Sequence, residues 1–416
     1  MSIIIKILLI FIFNIFILHQ SFALNLDLKF HKETINDYCD FLYKKKDNLF
    51  SSDHWRVEEV DNIKEYFHLS SKIKIKIFPF IRGEKINGIR FTFYNENEEP
   101  LLLVNVDKKC NIMVSRLIQR DITGKIFSID NLSSDLSEVK SSEYFNPPLK
   151  KQKPFKGIKV AIVDTGVNYN LDFIADKISR IDESNLTGYD FEDDDSLPYD
   201  IDTGRSVFFP MHHGTSVSSI ILREAPMSEL VVYRFPRSEM CKFENLIEHI
   251  SVNKIKIVNL SMGSVNKDDW QCFYKAAKSN KNILFFVSAG NDGKNIDFDK
   301  IYPASFDLEN IIVVTSSDIS GNLAQGSNFG SFSVDFLIPG EQIPVIDHRG
   351  VKTNASGSSF AVPRVVAMAI RILSNNPNAN IFDIKSKLIS RAIRSNEQVK
   401  YGWIPDPLDN YLLKLI

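Results

Sequence analysis

Cysteine is scarce in this chain: four residues in 416, at Cys39, Cys110, Cys241 and Cys272, none within a Cys-x-x-Cys. That spacing excludes the usual zinc and dithiol redox sites. Net charge is scarce too. The formal charge is −2, and the basic runs Lys44–Lys46 and Lys150–Lys153 are short. They read as solvated faces or linker, so nothing points to nucleic acid or a membrane surface as a partner. Long hydrophobic runs are missing except at the N-terminus. There Lys6 precedes Ile7–Leu18, apolar but for Asn14, and Ser21-Phe22-Ala23 follows with small residues. The stretch is short for a membrane span of ~20 residues. It reads instead as a signal peptide over residues 1–23, cut after Ala23. The mature protein is then secreted or periplasmic, with no membrane partner once the signal is removed.

What remains is ordinary globular chain, 44% apolar and 25% charged, long enough for two or three domains. Four cysteines in an exported chain allow three pairings. Cys39–Cys110 with Cys241–Cys272 keeps each bridge within one domain of the division set out below. The second would close a loop of about thirty residues, a contribution of roughly 3–4 kcal/mol. Residues 24–145 form an α+β region. Leu26–Lys46 has helical spacing, and Lys72–Phe78, Gly88–Tyr94 and Leu101–Asp107 read as strands of an antiparallel sheet. His31, His54 and His68 are scattered, without ligand spacing, and read as structural or surface residues. Residues 146–157, with Asn146-Pro147-Pro148 and several lysines, form a linker.

Beyond it the pattern changes. Ile158–Val163 is a continuous apolar run apart from Lys159, and similar runs recur at Leu230–Phe235, Ile255–Leu260, Ile283–Val287 and Ile311–Thr315. Between them lie helical stretches, Gly214–Arg223, Glu244–Asn253 and Asp268–Ser279. This alternation implies a doubly wound α/β domain over residues 158–416, its parallel sheet covered on both faces. Functional groups in such a domain sit at the carboxyl ends of the strands. Asp164-Thr165-Gly166 and Ser288-Ala289-Gly290-Asn291 stand at such ends, and His213-Gly214-Thr215 opens a helix. Asn354–Pro363 leads from small residues into the apolar run Phe360–Leu373, broken by Pro363, Arg364 and Arg371. Ser359 then lies at a helix start, where an unpaired N–H and the helix dipole favour a developing anion. Ser358 and Ser359 are equally readable as helix N-caps. Pro363 is expected within the first turn, where its missing N–H costs little.

A serine nucleophile needs a base. No histidine follows Ser359, which excludes the order Ser, Asp, His. Of His212, His213, His249 and His348, His213 is best placed and His212 is second. Asp164-Thr165-Gly166 and Asp202-Thr203-Gly204 invite comparison with an aspartic protease. The two triplets are too close for one in each of two β-lobes, and no apolar strand delivers Asp202.

Four segments taken together, Val160–Gly166, His213–Val217, Phe286–Asn291 and Ser356–Pro363, resemble the subtilisin-like (subtilase) serine proteases. Tyr302-Pro303-Ala304 and Ser327-Asn328-Phe329-Gly330 extend the likeness. The resemblance implies an exported serine endopeptidase. Ser359 is its nucleophile, His213 its general base, Asp164 the carboxylate that orients His213, and Asn291 the oxyanion donor. It places Ser261, Met262, Gly263, Ser288, Ala289 and Gly290 along the bound peptide, with a mildly apolar preference. It makes residues 24–145 a propeptide that partners the protease domain. His212, Ser358 and Ser216 stand where the family usually has Gly, Thr and His, and none of these removes a catalytic group. The chemistry requires no cofactor. The acidic loop Asp190–Asp202 suggests calcium but lacks the glycine of a calcium loop, and a solvated loop is the plainer reading. The alternative readings are a catalytically inactive scaffold with the same fold, or an aspartic-type protease using Asp164.

Overall fold

Alternation of lysine with isoleucine over residues 72–77 puts an apolar row on one face of a strand, and that row decides how the N-terminal unit packs. In the computed structural model, residues 28–43, 50, 53–60, 63–394 and 398–408 are described; the signal-peptide reading, residues 1–23, falls outside them. The chain divides into two units, residues 1–145 with 206–209, and residues 146–205 with 210–416.

In the first unit, residues 28–43 are helical (α1). Eight strands follow: β1 (Trp55–Val60), β2 (Ile63–His68), β3 (Lys74–Arg82), β4 (Lys85–Tyr94), β5 (Pro100–Asp107), β6 (Ile112–Arg120), β7 (Ile126–Leu132) and β8 (Val139–Tyr144). They pair in chain order as one antiparallel sheet. Ile75 and Ile77 join Phe91, Phe93, Leu102 and Val104 against Leu28, Ile35 and Cys39 of α1. The Cys39–Cys110 disulfide pins α1 to the turn between β5 and β6.

His31 lies in this core, 2% exposed, its ring centroid 4.3 Å from that of Phe93. Neither ring nitrogen has a hydrogen-bond partner among the described residues. Burial pushes its pKa down to about 4. A histidine with a depressed folded pKa folds neutral. Its stabilising share is therefore complete above about pH 6.5 and is lost as pH falls towards 4, by roughly 3 kcal/mol. Urea midpoints of wild type and His31→Phe compared between pH 7 and 4 check this. The wild-type midpoint should drop relative to the variant's as pH falls, and an offset that stays constant would refute it.

The second unit grows from apolar runs buried on both faces. Its strands are β9 (Ile158–Asp164), β10 (Tyr189–Asp190), β11 (Ser228–Arg234), β12 (Ile257–Leu260), β13 (Leu284–Ser288), β14 (Ile311–Ser317), β15 (Phe336–Pro339) and β18 (Gly402–Trp403). They are ordered β10-β11-β9-β12-β13-β14-β15-β18, and every pair is parallel. An antiparallel pair, β16 (Ile343–Ile346) and β17 (Lys352–Ala355), stands apart. The helices are α2 (Asp172–Ala175), α3 (Gly214–Glu224), α4 (Phe243–Val252), α5 (Gln271–Ser279), α6 (Ser358–Asn375) and α7 (Ile381–Ile389). Successive residues of one strand serve opposite faces. Val160 and Ile162 pack with Ile221 of α3 and Val365 of α6. Ala161 and Val163 pack with Leu246 of α4 and Phe273 of α5. This is the doubly wound α/β architecture the sequence implied. The Cys241–Cys272 disulfide joins the segment before α4 to α5. Residues 147–156 carry no regular structure and run along this unit, with Tyr169 Oη donating to the Pro147 carbonyl at 2.7 Å.

The arginines that interrupt the apolar run of α6 are buried with a partner: Arg364 Nε donates to Glu224 Oε1 at 3.0 Å and Arg371 Nη1 to the Glu224 carbonyl at 2.7 Å. The charges that interrupt the apolar run thus tie α6 to the end of α3. Pro363 falls in the second turn rather than the first, because the helix already starts at Ser358. The Ser359 carbonyl it leaves without a helical donor accepts from Ser261 Oγ at 3.3 Å instead.

Candidate active site

Strand β9 carries Asp164 to the carboxyl edge of the sheet, and His213 caps the N-terminus of α3 facing it. The close approach demands glycine: a Cβ on Gly214 would run into the Gly166 carbonyl. His213 Nδ1 donates to Asp164 Oδ1 at 2.8 Å and Oδ2 at 2.9 Å. The carboxylate is 5% exposed and the imidazole 22%. With its proton fixed on Nδ1, the ring offers Nε2 as an acceptor. Burial works against charge on the ring, but the Asp164 carboxylate and that of Asp200 outweigh it, and the pKa stands above the usual histidine value.

Asp200 is a residue the sequence did not single out. It is fully buried. Its Oδ1 accepts from Thr165 Oγ1 at 2.5 Å and from the His213 N–H at 3.0 Å, and its Oδ2 accepts from the Thr215 N–H at 3.0 Å. It therefore fixes the first turn of α3, and His213 with it. Asp200→Asn keeps the shape but sets an NH2 group against one of these donors. We expect a loss of about 1–3 kcal/mol in stability and a fall in kcat at little-changed KM, read by thermal melting and peptide kinetics. An unchanged kcat would show that α3 holds His213 without this carboxylate.

Ser359 comes from the other side, in the first turn of α6. Its N–H has no hydrogen-bond partner among the described residues. Neither serine caps this helix: Gly357 does, at φ +126°, and Ser358 is buried. Asn291 Oδ1 accepts from the Ser358 N–H and from Ser358 Oγ, both at 2.9 Å. That assigns the amide oxygen to the helix start and leaves Nδ2 as the free donor. Asn328 holds the loop that carries Asn291. Its Oδ1 accepts from the N–H groups of Asp292 and Lys294, and its Nδ2 donates to the Ala289 carbonyl at 2.8 Å. Gly290 sits at φ +97°, where a Cβ would lie 2.6 Å from Asn328 Nδ2.

His213, Ser359 and Asn291 line one cleft of about 470 Å³. No hydrogen bond joins Ser359 to His213 among the described residues, a common state before substrate tightens the site. Ser261, Met262, Gly263, Ser288 and Gly290 share its walls. Ala289 is turned into the core, its N–H bonded to the Val314 carbonyl at 3.0 Å. Asp164 and Asp202 are not brought together as a dyad: Asp202 accepts from the Gly204 N–H and pairs with Arg237 at 3.7 Å. His212 is not turned to the task of a base. Its Nδ1 is bonded to the Asp200 carbonyl and its ring stacks on His348 at 3.5 Å. His249 is taken up by Tyr233 Oη at 2.8 Å.

The family model for subtilases matches residues 155–403, more than half of the chain. The chain belongs to the subtilase family. It is a serine endopeptidase of the subtilisin-like kind, a hydrolase of peptide or protein substrates, and the aspartic-type and inactive-scaffold readings fall away. It is 29% identical over 239 residues to thermitase of Thermoactinomyces vulgaris, covering 54% of this chain and 77% of that one. It is 32% identical over 250 residues to the minor extracellular protease Vpr of Bacillus subtilis (strain 168), covering 54% of this chain and only 30% of that one. Among solved structures, a lanthipeptide protease superposes with a TM-score of 0.51 at 18% identity, over 62% of this chain and 88% of that one, a likeness of fold.

The subtilase's acidic loop is not the solvated segment its composition suggests. Asp190 is buried, and Arg234 Nη1 donates to Asp190 and to Asp193 at 2.9 Å each, while Arg234 and Glu192 pair at 3.2 Å. The loop folds around a guanidinium at the end of β11. Sequence reasoning also passed over Arg205, Met211, Arg237 and Phe360, which line the cleft. The one available signal was place: Arg237 follows the carboxyl end of β11, where such sheets build their sites.

Proposed function

We propose that this subtilase is an exported endopeptidase acting through Asp164, His213 and Ser359. The observation that carries the reading is the His213–Asp164 pair, at 2.8 and 2.9 Å, on the wall of the cleft that also holds Ser359 and Asn291. His213 Nε2 takes the Ser359 proton as Oγ attacks the scissile carbonyl, and Asp164 stabilises the imidazolium that forms. Asn291 Nδ2 and the Ser359 N–H receive the oxyanion. His213 then protonates the leaving amine, and water hydrolyses the acyl-enzyme by the same route. None of these steps needs a cofactor. Export is supported by the signal-like N-terminus, by two disulfides and by the extracellular description of one relative.

Residues 24–145 act as a propeptide, released by the enzyme's own cut between Ser141 and Lys156. Supporting this are a first unit that carries none of the cleft residues and the irregular stretch that follows it. Purified protein treated with a fluorophosphonate probe should be labelled, and Ser359→Ala should not. The active form should lose the N-terminal region by mass while Ser359→Ala keeps it. Equal labelling of both would remove Ser359 from the proposal, and equal trimming would assign the cut to another protease.

A further inference from the structure

Two arginines, Arg205 and Arg237, line the cleft beside His213, Ser261 and Gly263. Both are exposed. Arg237 is close enough to His213 for its charge to oppose protonation of the ring. Its contact with Asp202 is a single approach of 3.7 Å, with the side chain 54% exposed. At that distance the contact is an ion pair rather than a hydrogen bond, which leaves the guanidinium donors available to a ligand. The acidic residue in the lining is Asp292, next to Asn291 in the oxyanion loop. The wall near His213 is thus basic, while the pocket segments Ser261–Gly263 and Ser288–Gly290 carry no charge.

We infer that Arg205 and Arg237 make this cleft select peptides that carry an aspartate or glutamate side chain close to the scissile bond. A guanidinium binds a carboxylate in a planar, two-pronged arrangement. A substrate lysine in the same place meets two like charges at short range, so selectivity has a repulsive as well as an attractive part. The inference rests on the peptidase reading above and adds its substrate class. It supplements the mild apolar preference implied by resemblance, since the arginines stand outside the segments from which that preference was drawn.

The experiment uses the full chain as expressed, in whatever form it matures to, and a fluorogenic peptide series with amidated C-termini, so that a side chain supplies the tested carboxylate. One residue is varied among glutamate, glutamine and lysine at each position flanking the cleavage point. At one or more positions glutamate should exceed glutamine by about tenfold in kcat/KM, with lysine below both. The advantage should shrink in 0.5 M salt. The double variant Arg205→Glu/Arg237→Glu should invert the order, and Arg205→Gln/Arg237→Gln should level it while still taking the fluorophosphonate label. If wild type cleaves the glutamine peptides and glutamate brings no gain anywhere, the inference fails and the peptidase reading stands. If the glutamate preference survives in the double-glutamate variant, the arginines are not its source and the inference fails. If no peptide is cleaved and no label is taken, both fail.

Discussion

Ser359→Ala should lower kcat for peptide hydrolysis by about 10⁶, the loss known for the same change in subtilisin, and leave the melting temperature nearly unchanged. The serine side chain takes no part in the core, so nothing but chemistry is removed. His213→Ala should cost about as much, because nucleophile and base act as one unit and the second deletion has little left to abolish. The double variant should therefore be no worse than either single one. In the wild type, His213 must be neutral to accept the proton. The Asp164 and Asp200 carboxylates hold its pKa above the usual value against the effect of burial. The acid limb of kcat/KM should accordingly have its midpoint above about 6.5, with activity rising as pH rises through it. Asp164→Asn removes the chief support and should drop kcat by about 10⁴. A Ser359→Ala enzyme within tenfold of wild type would take Ser359 out of the mechanism. An acid limb well below 6.5 would mean that the group titrating there is not His213.

The sheet of the second unit is readable from sequence because burial on both faces turns its central strands into largely apolar runs, Val160–Val163 and Ile311–Val314 among them. Where a strand is two residues long, as at Tyr189–Asp190 and Gly402–Trp403, no run exists to read. In the first unit, β8 is almost wholly exposed and polar. An edge strand of that kind has no apolar face, and its pairing with β7 is decided by backbone hydrogen bonds. The four residues proposed for the chemistry stand out because each ends a strand or opens a helix beside glycine. Their supports do not. Asp200 meets Thr165, His213 and Thr215 only after the loop from 190 to 211 has folded. Arg364 and Arg371 look like interruptions until Glu224 arrives from another helix. Arg205 and Arg237 belong to no motif at all. Motif spacing records groups that chemistry holds rigidly, whereas charges brought in by tertiary folding leave no local pattern.

Asn291→Ala should reduce kcat by about 10²–10³ with KM little altered, a magnitude established for the corresponding donor in subtilisin. The argument is one of direction. Asn291 Oδ1 is committed to Ser358, through its N–H and its Oγ, and Ser358 Oγ is itself bonded to Ser288 Oγ at 2.6 Å. The amide plane is thus set before substrate binds, and Nδ2 needs no reorganisation when charge develops on the carbonyl oxygen. A bound ground-state carbonyl gains little from that donor, so the loss falls on kcat. Asn291→Asp keeps the acceptor that Ser358 requires but replaces the donor with a negative oxygen. It should fold as wild type and turn over more slowly than Asn291→Ala, since repulsion is added to a missing hydrogen bond. Ser358→Ala retains the N–H and loses the hydroxyl, so the amide is held by one bond instead of two, and kcat should fall by about tenfold. Steady-state kinetics on one peptide across the three variants test the order Ser358→Ala above Asn291→Ala above Asn291→Asp. An Asn291→Asp enzyme faster than Asn291→Ala would mean that the side chain faces a cation or a water rather than the oxyanion.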